Sequence, residues 1–175
     1  MIPPSFHLDV VPGNDVTPAQ EQFINHWNQH YFGEVAVSRG LAKAPVHWRL
    51  ILSEDQSLLS HVALTELEIE MDGQPMKTGA VGGLFTPGHL QGRGYGNAVM
   101  DRAEAFVFDR LGLSLGILFC LPELVSFYSK RHWSLVSPPV TLEQKSGRVT
   151  WGAAVMILSA DRTQTGEHSV HVPIP

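Results

Sequence analysis

Cysteine is almost absent from the sequence: Cys120 is the only one in 175 residues. A single thiol forms no disulfide within the chain and builds no zinc site that depends on several cysteines. The sequence also lacks an apolar run of the roughly 20 residues that a membrane-spanning helix needs, and its N-terminus lacks the basic and apolar segments of a signal peptide. We therefore expect a cytoplasmic protein without a membrane partner, whose core is stable without cross-links.

Positive charge is scarce as well. The chain carries 12 Lys and Arg against 17 Asp and Glu, which gives a net charge of −5. This balance disfavours a nucleic-acid or anionic-lipid partner, because both need a basic surface, and it is compatible with a cationic substrate. With 43% hydrophobic residues the chain can bury one sizeable core. We expect a single domain over residues 1–175, with its core over about 47–158 and a loose polar tail over 161–175.

The hydrophobic pattern predicts strands that alternate with helices. Thr17 and Gln20 have the spacing of a capping box, so a helix is expected to begin there. Asp72 and Gly73 are typical of the tight turn of a hairpin. Pro122 fits the first position of a later, short helix. The predicted strands are 6–11, 47–55, 63–71, 77–86, 113–120, 133–136 and 151–158, and the least regular segment is 137–148.

The most informative stretch is GHLQGRGYGNAVM, residues 88–100, where glycines lie between a predicted strand and a long predicted helix. Such a loop directs backbone N–H groups and the positive end of the helix dipole at one point, which suits a phosphate group. The Rossmann pattern fails because Asn97 stands where the third glycine belongs, and a P-loop fails because His89 and Leu90 replace its lysine and hydroxyl residue. A tight surface turn is the alternative interpretation. The helix is expected to bury Val99, Ala103, Phe106, Val107 and Leu111.

Gln91, Gly94 and Gly96 form a third pattern: Gln or Arg, two residues, Gly, one residue, then Gly or Ala. This pattern resembles the acetyl-coenzyme A loop of the GNAT family of N-acetyltransferases, and the order of elements around it is similar over about residues 47–158. Within that family the sequence looks most like aminoglycoside 2'-N-acetyltransferases. The resemblance implies the GNAT acyl-CoA N-acyltransferase fold, an α/β fold in which helices flank a central mixed sheet that is mostly antiparallel.

The resemblance also implies acetyl-CoA as cosubstrate, with a binding site in two parts. Backbone N–H groups of the loop would hold the pyrophosphate, and the end of the preceding strand would pair with the pantetheine amides as an added strand does. Gly82 and Gly83 are expected to form a bulge that separates this strand from its neighbour. The implied cofactor-binding residues are Leu84, Phe85, Thr86, Gln91, Gly92, Arg93, Gly94, Tyr95, Gly96 and Asn97.

Catalytic roles follow from the same resemblance. Tyr128, in FYSKRHW, lies where many family members place a tyrosine that acts as general acid towards the coenzyme A thiolate; a packing tyrosine is the alternative. The aminoglycoside branch typically has a glutamate where this chain has Gly82. Glu66 and Glu68, which share one face of a strand with Glu70, are candidates to take the proton of the amine instead, although such a row is more often a solvated face.

Five further side chains have two interpretations each. His61 is an outside candidate for the base, and water is another route for the proton. Cys120 can in principle carry an acetyl group, but a buried cysteine is usually an inert packing residue. His26 and His30 lie four residues apart without a glutamate or a third ligand, so we expect no metal site. Trp151 either flanks an aromatic or sugar-like acceptor or packs in the core.

The resemblance, taken with these features, implies an N-acetyltransferase that moves acetyl from acetyl-CoA to a primary amine of a small molecule, with an aminoglycoside-like acceptor as one candidate. The amine would attack directly in a ternary complex. Two alternatives stay open: a non-catalytic acyl-CoA sensor, which the missing glutamate at Gly82 motivates, and an acyltransferase that uses a longer acyl donor. Relatives in the family often form dimers, so a homodimer is a further expectation.

Overall fold

The computed structural model describes residues 6–39, 45–55, 57–137, 140–144, 147–163, 165 and 167–173. The helices of these segments are α1 (Pro18–Arg39), α2 (Tyr95–Ala105) and α3 (Val125–Ser129); a π-helical turn, Phe106–Arg110, extends α2, and 3-10 turns span Gly88–Leu90 and Pro122–Leu124. The strands are β1 (Phe6–Pro12), β2 (Trp48–Glu54), β3 (Ser57–Met71), β4 (Gln74–Phe85), β5 (Leu115–Cys120), β6 (Ser134–Leu135), β7 (Val140–Gln144), β8 (Gly147–Thr150), β9 (Ala154–Ser159) and β10 (Val170–Val172). None of the described helices is both long and apolar enough to cross a membrane.

The described strands form one mixed sheet. Its order is β6-β9-β5-β4-β3-β10-β7-β8, and β2 lies between β1 and β3. β3 is long enough to pair with β2 along its first half and with β10 at its far end, both antiparallel. β10 and β7 are parallel, whereas β1–β2, β5–β9, β6–β9 and β7–β8 are antiparallel. The predicted α/β fold with a mixed, mostly antiparallel sheet and flanking helices is confirmed.

The chain forms two compact units, and β3 and β4 contribute residues to each. The first unit contains Met1–Thr65 and Val81–Ala105, and the second contains Glu66–Ala80 and Phe106–Pro175. The single domain expected from the sequence stays a prediction.

Local sequence signals in the first unit produce the predicted elements. The backbone N–H of Thr17 donates to Gln20 Oε1 at 2.8 Å, and the N–H of Gln20 donates to Thr17 Oγ1 at 3.3 Å, so the capping box is present. On α1, Phe23, Trp27 and Tyr31 pack against a cluster that includes buried Ile24, Ile51 and Phe85. On α2, Val99, Met100 and Ala103 are fully buried. This helix contacts β2, so the loop before it starts from a fixed element.

In the second unit, β5 and β9 supply fully buried side chains: Leu115, Ile117, Leu118, Met156 and Ile157. Phe106 and Val107 are buried as predicted, but Leu111 is only half-buried because the helix changes at Phe106. There the backbone N–H of Leu111 bonds Phe106 O at 2.9 Å, which is a π-type turn, and Gly112 ends it at φ +66°.

Two sequence-based expectations about the C-terminal part are wrong. The segment 137–148 was expected to be irregular, but β7 and the start of β8 form an antiparallel hairpin there. The tail was expected to be loose, but Val170 and Val172 are buried and alternate with His171 in β10. Three residues with a period of two are too short a pattern to stand out in a polar segment, and only pairing with β3 and β7 makes them a strand.

Candidate cofactor site and candidate catalytic residues

The end of β4 departs from regular strand geometry at Gly83. Its φ is +58°, a left-handed value that glycine adopts without strain. Gly82 is not in that region, and a Cβ added to it would meet no atom within 4 Å. The positive φ lies at the second of the two glycines, and the bulge expected at Gly82 and Gly83 stays a prediction.

Two buried side chains of β3 hold the carbonyls of β4 at this point. Ser60 Oγ donates to Phe85 O at 2.9 Å, and His61 Nδ1 lies 3.0 Å from Gly83 O. In a planar trans peptide the C=O of one residue and the N–H of the next point in opposite directions. Because the Gly83 carbonyl points at His61, the N–H of Leu84 points away from His61. This is the orientation that an extended ligand with amide groups requires for pairing.

The surroundings of His61 shift its pKa strongly. Its side chain is 1% exposed, its ring stacks on Phe85 with centroids 5.2 Å apart, and its Nε2 lies 3.3 Å from Arg49 Nη1. Burial lowers the pKa of His61 to about 4; the hydrogen bond to Gly83 opposes the shift and Arg49 adds to it. His61 is therefore neutral at pH 7.

The glycine loop leaves space where a ligand would lie. Gly92 and Gly94 have φ values of +77° and +84°, and a Cβ added to either would meet no atom within 4 Å. Gly96 does not have positive φ, and its added Cβ would make only ordinary contact with Thr86 Oγ1 at 3.5 Å. Packing within the protein therefore does not explain why positions 92 and 94 are glycine. The open space beside their backbone amides fits a diphosphate.

Helix α2 begins directly after this loop. Its first intrahelical hydrogen bond runs from Ala98 N to Gly94 O at 3.0 Å, so the N–H groups of Tyr95 and Gly96 precede it. The first N–H groups of a helix have no intrahelical acceptor and carry the positive end of its dipole. Arg93 is exposed beside them. The loop therefore has the donors and the charge that an anion needs.

The Gln91 side chain points back to the protein and ties the loop to β4. Gln91 Nε2 donates to Thr86 O at 3.0 Å and to Tyr31 Oη at 3.4 Å, and Tyr31 Oη donates to Thr86 O at 3.3 Å. Thr86 Oγ1 also lies 2.9 Å from Ser60 Oγ. Since the one hydroxyl proton of Ser60 goes to Phe85 O, Thr86 is the donor in that pair. These bonds join α1, β3, β4 and the loop into one polar cluster.

All ten predicted cofactor residues lie in the first unit, whereas Tyr128, Glu66 and Glu68 belong to the second. Tyr128 lies on α3 and is 6% exposed, with its ring edge-on to Phe127 and Trp133. Burial raises the pKa of Tyr128 well above its usual value, Cys120 raises it further, and Arg131 opposes both. Tyr128 therefore keeps its proton at neutral pH and can act as a hydrogen-bond donor.

The glutamate row of β3 is exposed. Glu66, Glu68 and Glu70 face solvent, whereas Ile69 is buried and Leu67 is half-buried between them, so the predicted alternation is confirmed over this part of the strand. Exposure agrees with the solvated-face interpretation, and the catalytic role of Glu66 and Glu68 stays a prediction.

The remaining candidates show packing contacts. Cys120 is buried, and burial followed by the charge of Glu123 raises its pKa, which lowers the thiolate fraction that a nucleophile needs. His26 and His30 each place a ring edge-on to Trp27. The described residues contain no cluster of His, Cys, Asp and Glu that could hold a metal ion. Trp151 lies edge-on to Phe119 with centroids 5.6 Å apart.

Sequence reasoning missed Arg49, Ser60, Tyr31 and Asn28. Ser60 and His61 form a polar pair within the apolar run LLSHVAL, and that interruption was the available signal. Asn28 Oδ1 is buried without a hydrogen-bond partner among the described residues, and it lies 3.5 Å from the position of a Cβ on Gly83. No local pattern marks Asn28 or Tyr31, because their partners lie far along the chain.

Comparisons with known proteins identify the family of this chain and proteins of similar fold. The acetyltransferase (GNAT) domain model matches residues 19–136, and no curated protein matches the sequence significantly. ElaA of Escherichia coli is similar with a TM-score of 0.61 at 10% identity, over 87% of this chain and 98% of that chain. FeeM, an N-acyl amino acid synthase from uncultured soil microbes, has a TM-score of 0.60 at 12% identity, over 91% and 94%.

A mutant of the spermidine/spermine N-acetyltransferase SpeG from Vibrio cholerae has a TM-score of 0.59 at 14% identity, over 90% of this chain and 95% of that chain. At such low identity these likenesses show the fold alone. The family model, however, spans more than half of the sequence. This chain therefore belongs to the GNAT family of acetyltransferases.

Proposed function

We propose that the protein is an acyl-CoA-dependent N-acyltransferase that moves acetyl from acetyl-CoA to a primary amine of a small molecule. The observation that carries the proposal is the loop between β4 and α2. Gly92 and Gly94 adopt positive φ beside open space, directly before the N-terminus of an 11-residue helix. Family membership supports the same chemistry. The aminoglycoside-like acceptor, the homodimer and the cytoplasmic location stay predictions.

In this proposal the chain positions the donor through its backbone. The N–H groups from Arg93 to Asn97 hold the diphosphate, and Leu84 offers its N–H and C=O to the pantetheine amides. The thioester supplies the acetyl group. Direct transfer forms the bond from the amine nitrogen to the acetyl carbon and breaks the carbon–sulfur bond, so a proton leaves the nitrogen and the sulfur becomes a thiolate. Positioning of both reactants accounts for much of the expected acceleration.

We assign Tyr128 the role of hydrogen-bond donor to the thiolate, on the basis of its position in FYSKRHW. An ordinary thiol has a pKa near ~8.5. Because the pKa of Tyr128 is raised above that of an ordinary phenol, proton transfer to the sulfur is uphill. Tyr128 therefore stabilises the thiolate mainly by donating a hydrogen bond, and solvent completes the protonation.

The acceptor is proposed to be a cation before it reacts. The net charge of −5 and the exposed carboxylates of Glu66, Glu68 and Glu70 support this choice, because they attract ammonium groups. The ammonium must lose one proton before its nitrogen can attack, and the nitrogen loses a second proton as the amide forms; Glu66, Glu68 or water would take these protons, and one equivalent returns from solvent to the thiolate. SpeG, a structural neighbour, is named as acting on spermidine and spermine, which makes polyamines the first acceptors to test alongside aminoglycosides.

The test is a thiol-release assay with acetyl-CoA and a panel of polyamines, aminoglycosides and amino acids. Release that depends on one amine, with the acetylated amine found by mass spectrometry, supports the proposal. Thermal stabilisation by acetyl-CoA without release under any amine would favour the sensor alternative. Parallel reactions with longer acyl-CoA donors decide the third alternative; FeeM, named an N-acyl amino acid synthase, gives a reason to include amino acids there.

A further inference from the structure

We propose that His61 is a positioning residue for the acyl donor: held by Arg49, it fixes the Gly83 carbonyl and so sets the backbone of β4 that the pantetheine arm contacts. This inference rests on the proposed function, because it takes the arm to pair with Leu84. It assigns a role to a buried histidine and a partly buried arginine that the acetyl transfer itself does not use.

The partners of His61 determine where its proton lies. Arg49 has donors only, so in the pair of Arg49 Nη1 and His61 Nε2, 3.3 Å apart, the imidazole must accept. The Gly83 carbonyl has no proton, so in the pair of His61 Nδ1 and Gly83 O, 3.0 Å apart, the imidazole must donate. Both bonds require the same neutral tautomer. The only lone pair of the ring faces a guanidinium, and none is left for an amine substrate.

Arg49 is itself fixed from the other side. Its Nε donates to Gly13 O at 3.1 Å, and Gly13 N donates to His47 O at 2.8 Å. A Cβ on Gly13 would lie 1.9 Å from Val46 O, so the backbones meet there without room for a side chain. Hydrogen bonds of defined direction therefore connect Gly13 to Arg49, Arg49 to His61, and His61 to Gly83.

Gly83, whose carbonyl His61 holds, has the least restricted backbone at this end of β4. Gly83 has positive φ, and glycine has more backbone freedom to lose than any other residue. With His61 on Gly83 O and Ser60 on Phe85 O, both carbonyls that flank Leu84 are held from β3. Loss of the His61 bond removes the donor that holds the half-buried Gly83 carbonyl and lets the peptide before Leu84 rotate, which would misalign the N–H of Leu84.

Three substitutions separate this role from that of a base. His61→Asn keeps an amide donor near the place of Nδ1, and so keeps the bond to Gly83. His61→Gln keeps an amide near the place of Nε2, and so keeps a partner for Arg49 but not for Gly83. His61→Leu keeps neither. None of the three can act as a base at neutral pH. If His61 is a base, all three variants should therefore lose activity alike, whereas a positioning role predicts that only His61→Asn stays near wild-type activity.

The readouts are the Kd of coenzyme A by calorimetry, kcat, and KM for donor and for amine. We expect His61→Gln and His61→Leu to raise the Kd and the donor KM by about tenfold, since the Gly83 carbonyl loses the hydrogen bond that holds it. Amine KM should change little, and His61→Asn should stay within about threefold of wild type on the same grounds. The pH profile of His61→Asn should have the wild-type shape. The glutamine and asparagine variants carry the test even if the leucine variant does not fold.

Other outcomes overturn the inference. If all three variants lose kcat equally and the pH profile changes, His61 is a base. If all three match wild type in Kd and kcat, the Gly83 bond has no role in donor binding. If wild type neither binds coenzyme A nor transfers acetyl, the proposed function fails and the positioning role fails with it. A nitrogen NMR spectrum of His61 tests the tautomer independently of these assays.

Discussion

Replacing Gly94 by alanine should weaken coenzyme A binding far more than it weakens the fold. The φ of +84° is left-handed, and an L side chain there costs roughly 1–2 kcal/mol. For a chain of this size each kcal/mol lowers the melting temperature by about 2–4 °C, so we expect a fall of about 2–8 °C. Apart from residue 94 itself and its two neighbours in the chain, no described atom lies within 4 Å of the new Cβ. If coenzyme A binding weakens by more than this backbone strain explains, the cause must therefore be a clash between the new methyl group and the ligand.

The size of the binding effect follows from the bonds at risk. A hydrogen bond to a charged group contributes roughly 1.5–3 kcal/mol. Displacing the diphosphate from one loop amide should thus weaken coenzyme A binding by about 10- to 100-fold, at 1.4 kcal/mol for each factor of ten. Isothermal titration calorimetry measures this directly. A pantetheine derivative without the diphosphate should bind wild type and Gly94→Ala equally.

The chain contains two matched controls. Gly73, in the turn between β3 and β4, has a φ of +76° and also no atom within 4 Å of an added Cβ, so Gly73→Ala has the same strain outside the loop. Gly96→Ala adds a methyl group in the loop without positive φ. We expect Gly73→Ala to lower the melting temperature without changing the Kd, and Gly96→Ala to change neither strongly. If Gly94→Ala and Gly73→Ala lower stability alike and neither changes the Kd, the loop does not hold the diphosphate.

Three further predictions concern single side chains. Tyr128→Phe should lower kcat by about 10²-fold and leave the Kd of coenzyme A unchanged; steady-state kinetics check this, and an unchanged kcat would remove Tyr128 from the mechanism. Gly82→Glu should raise kcat/KM for a cationic amine by about tenfold, because the added carboxylate supplies a base where no atom obstructs it; Gly82→Gln is the control, and equal rates for both would contradict the role of a base there. His61 should make the folded state less stable in acid: because its pKa is depressed from 6.5 to about 4, the unfolded chain binds the extra proton between these values, and stability falls as pH is lowered through that window. The full shift in the pKa of His61 corresponds to about 3 kcal/mol. In urea unfolding, the free energy of unfolding should therefore fall less between pH 7 and pH 4 for His61→Asn than for wild type, and equal losses in the two proteins would refute this prediction.

The features that could be predicted from the sequence depend on residues close together in the chain. The capping box at Thr17 and Gln20 needs a spacing of three residues, and the turn at Asp72 and Gly73 needs two neighbours that tolerate positive φ, which both adopt. The loop pattern likewise requires glycine at Gly94, where the backbone is left-handed. In each case the physical cause lies inside the motif, so the motif alone was sufficient.

What could not be predicted depends on partners that the fold selects. Val170–Val172 becomes a strand only because it pairs with β3 and β7, and three residues are too few to predict that pairing from the sequence. The same limit applies to His61. From the sequence it was a candidate base, since a histidine near a predicted active strand has the right ordinary pKa. The hydrogen-bond partners of His61 determine its chemistry. The Gly83 carbonyl, 22 residues later in the chain, can only accept a hydrogen bond, and Arg49, 12 residues earlier, can only donate one. With these two partners the imidazole is neutral and both of its nitrogens are engaged, so the geometry assigns it to holding Gly83, and the base must be another group or water.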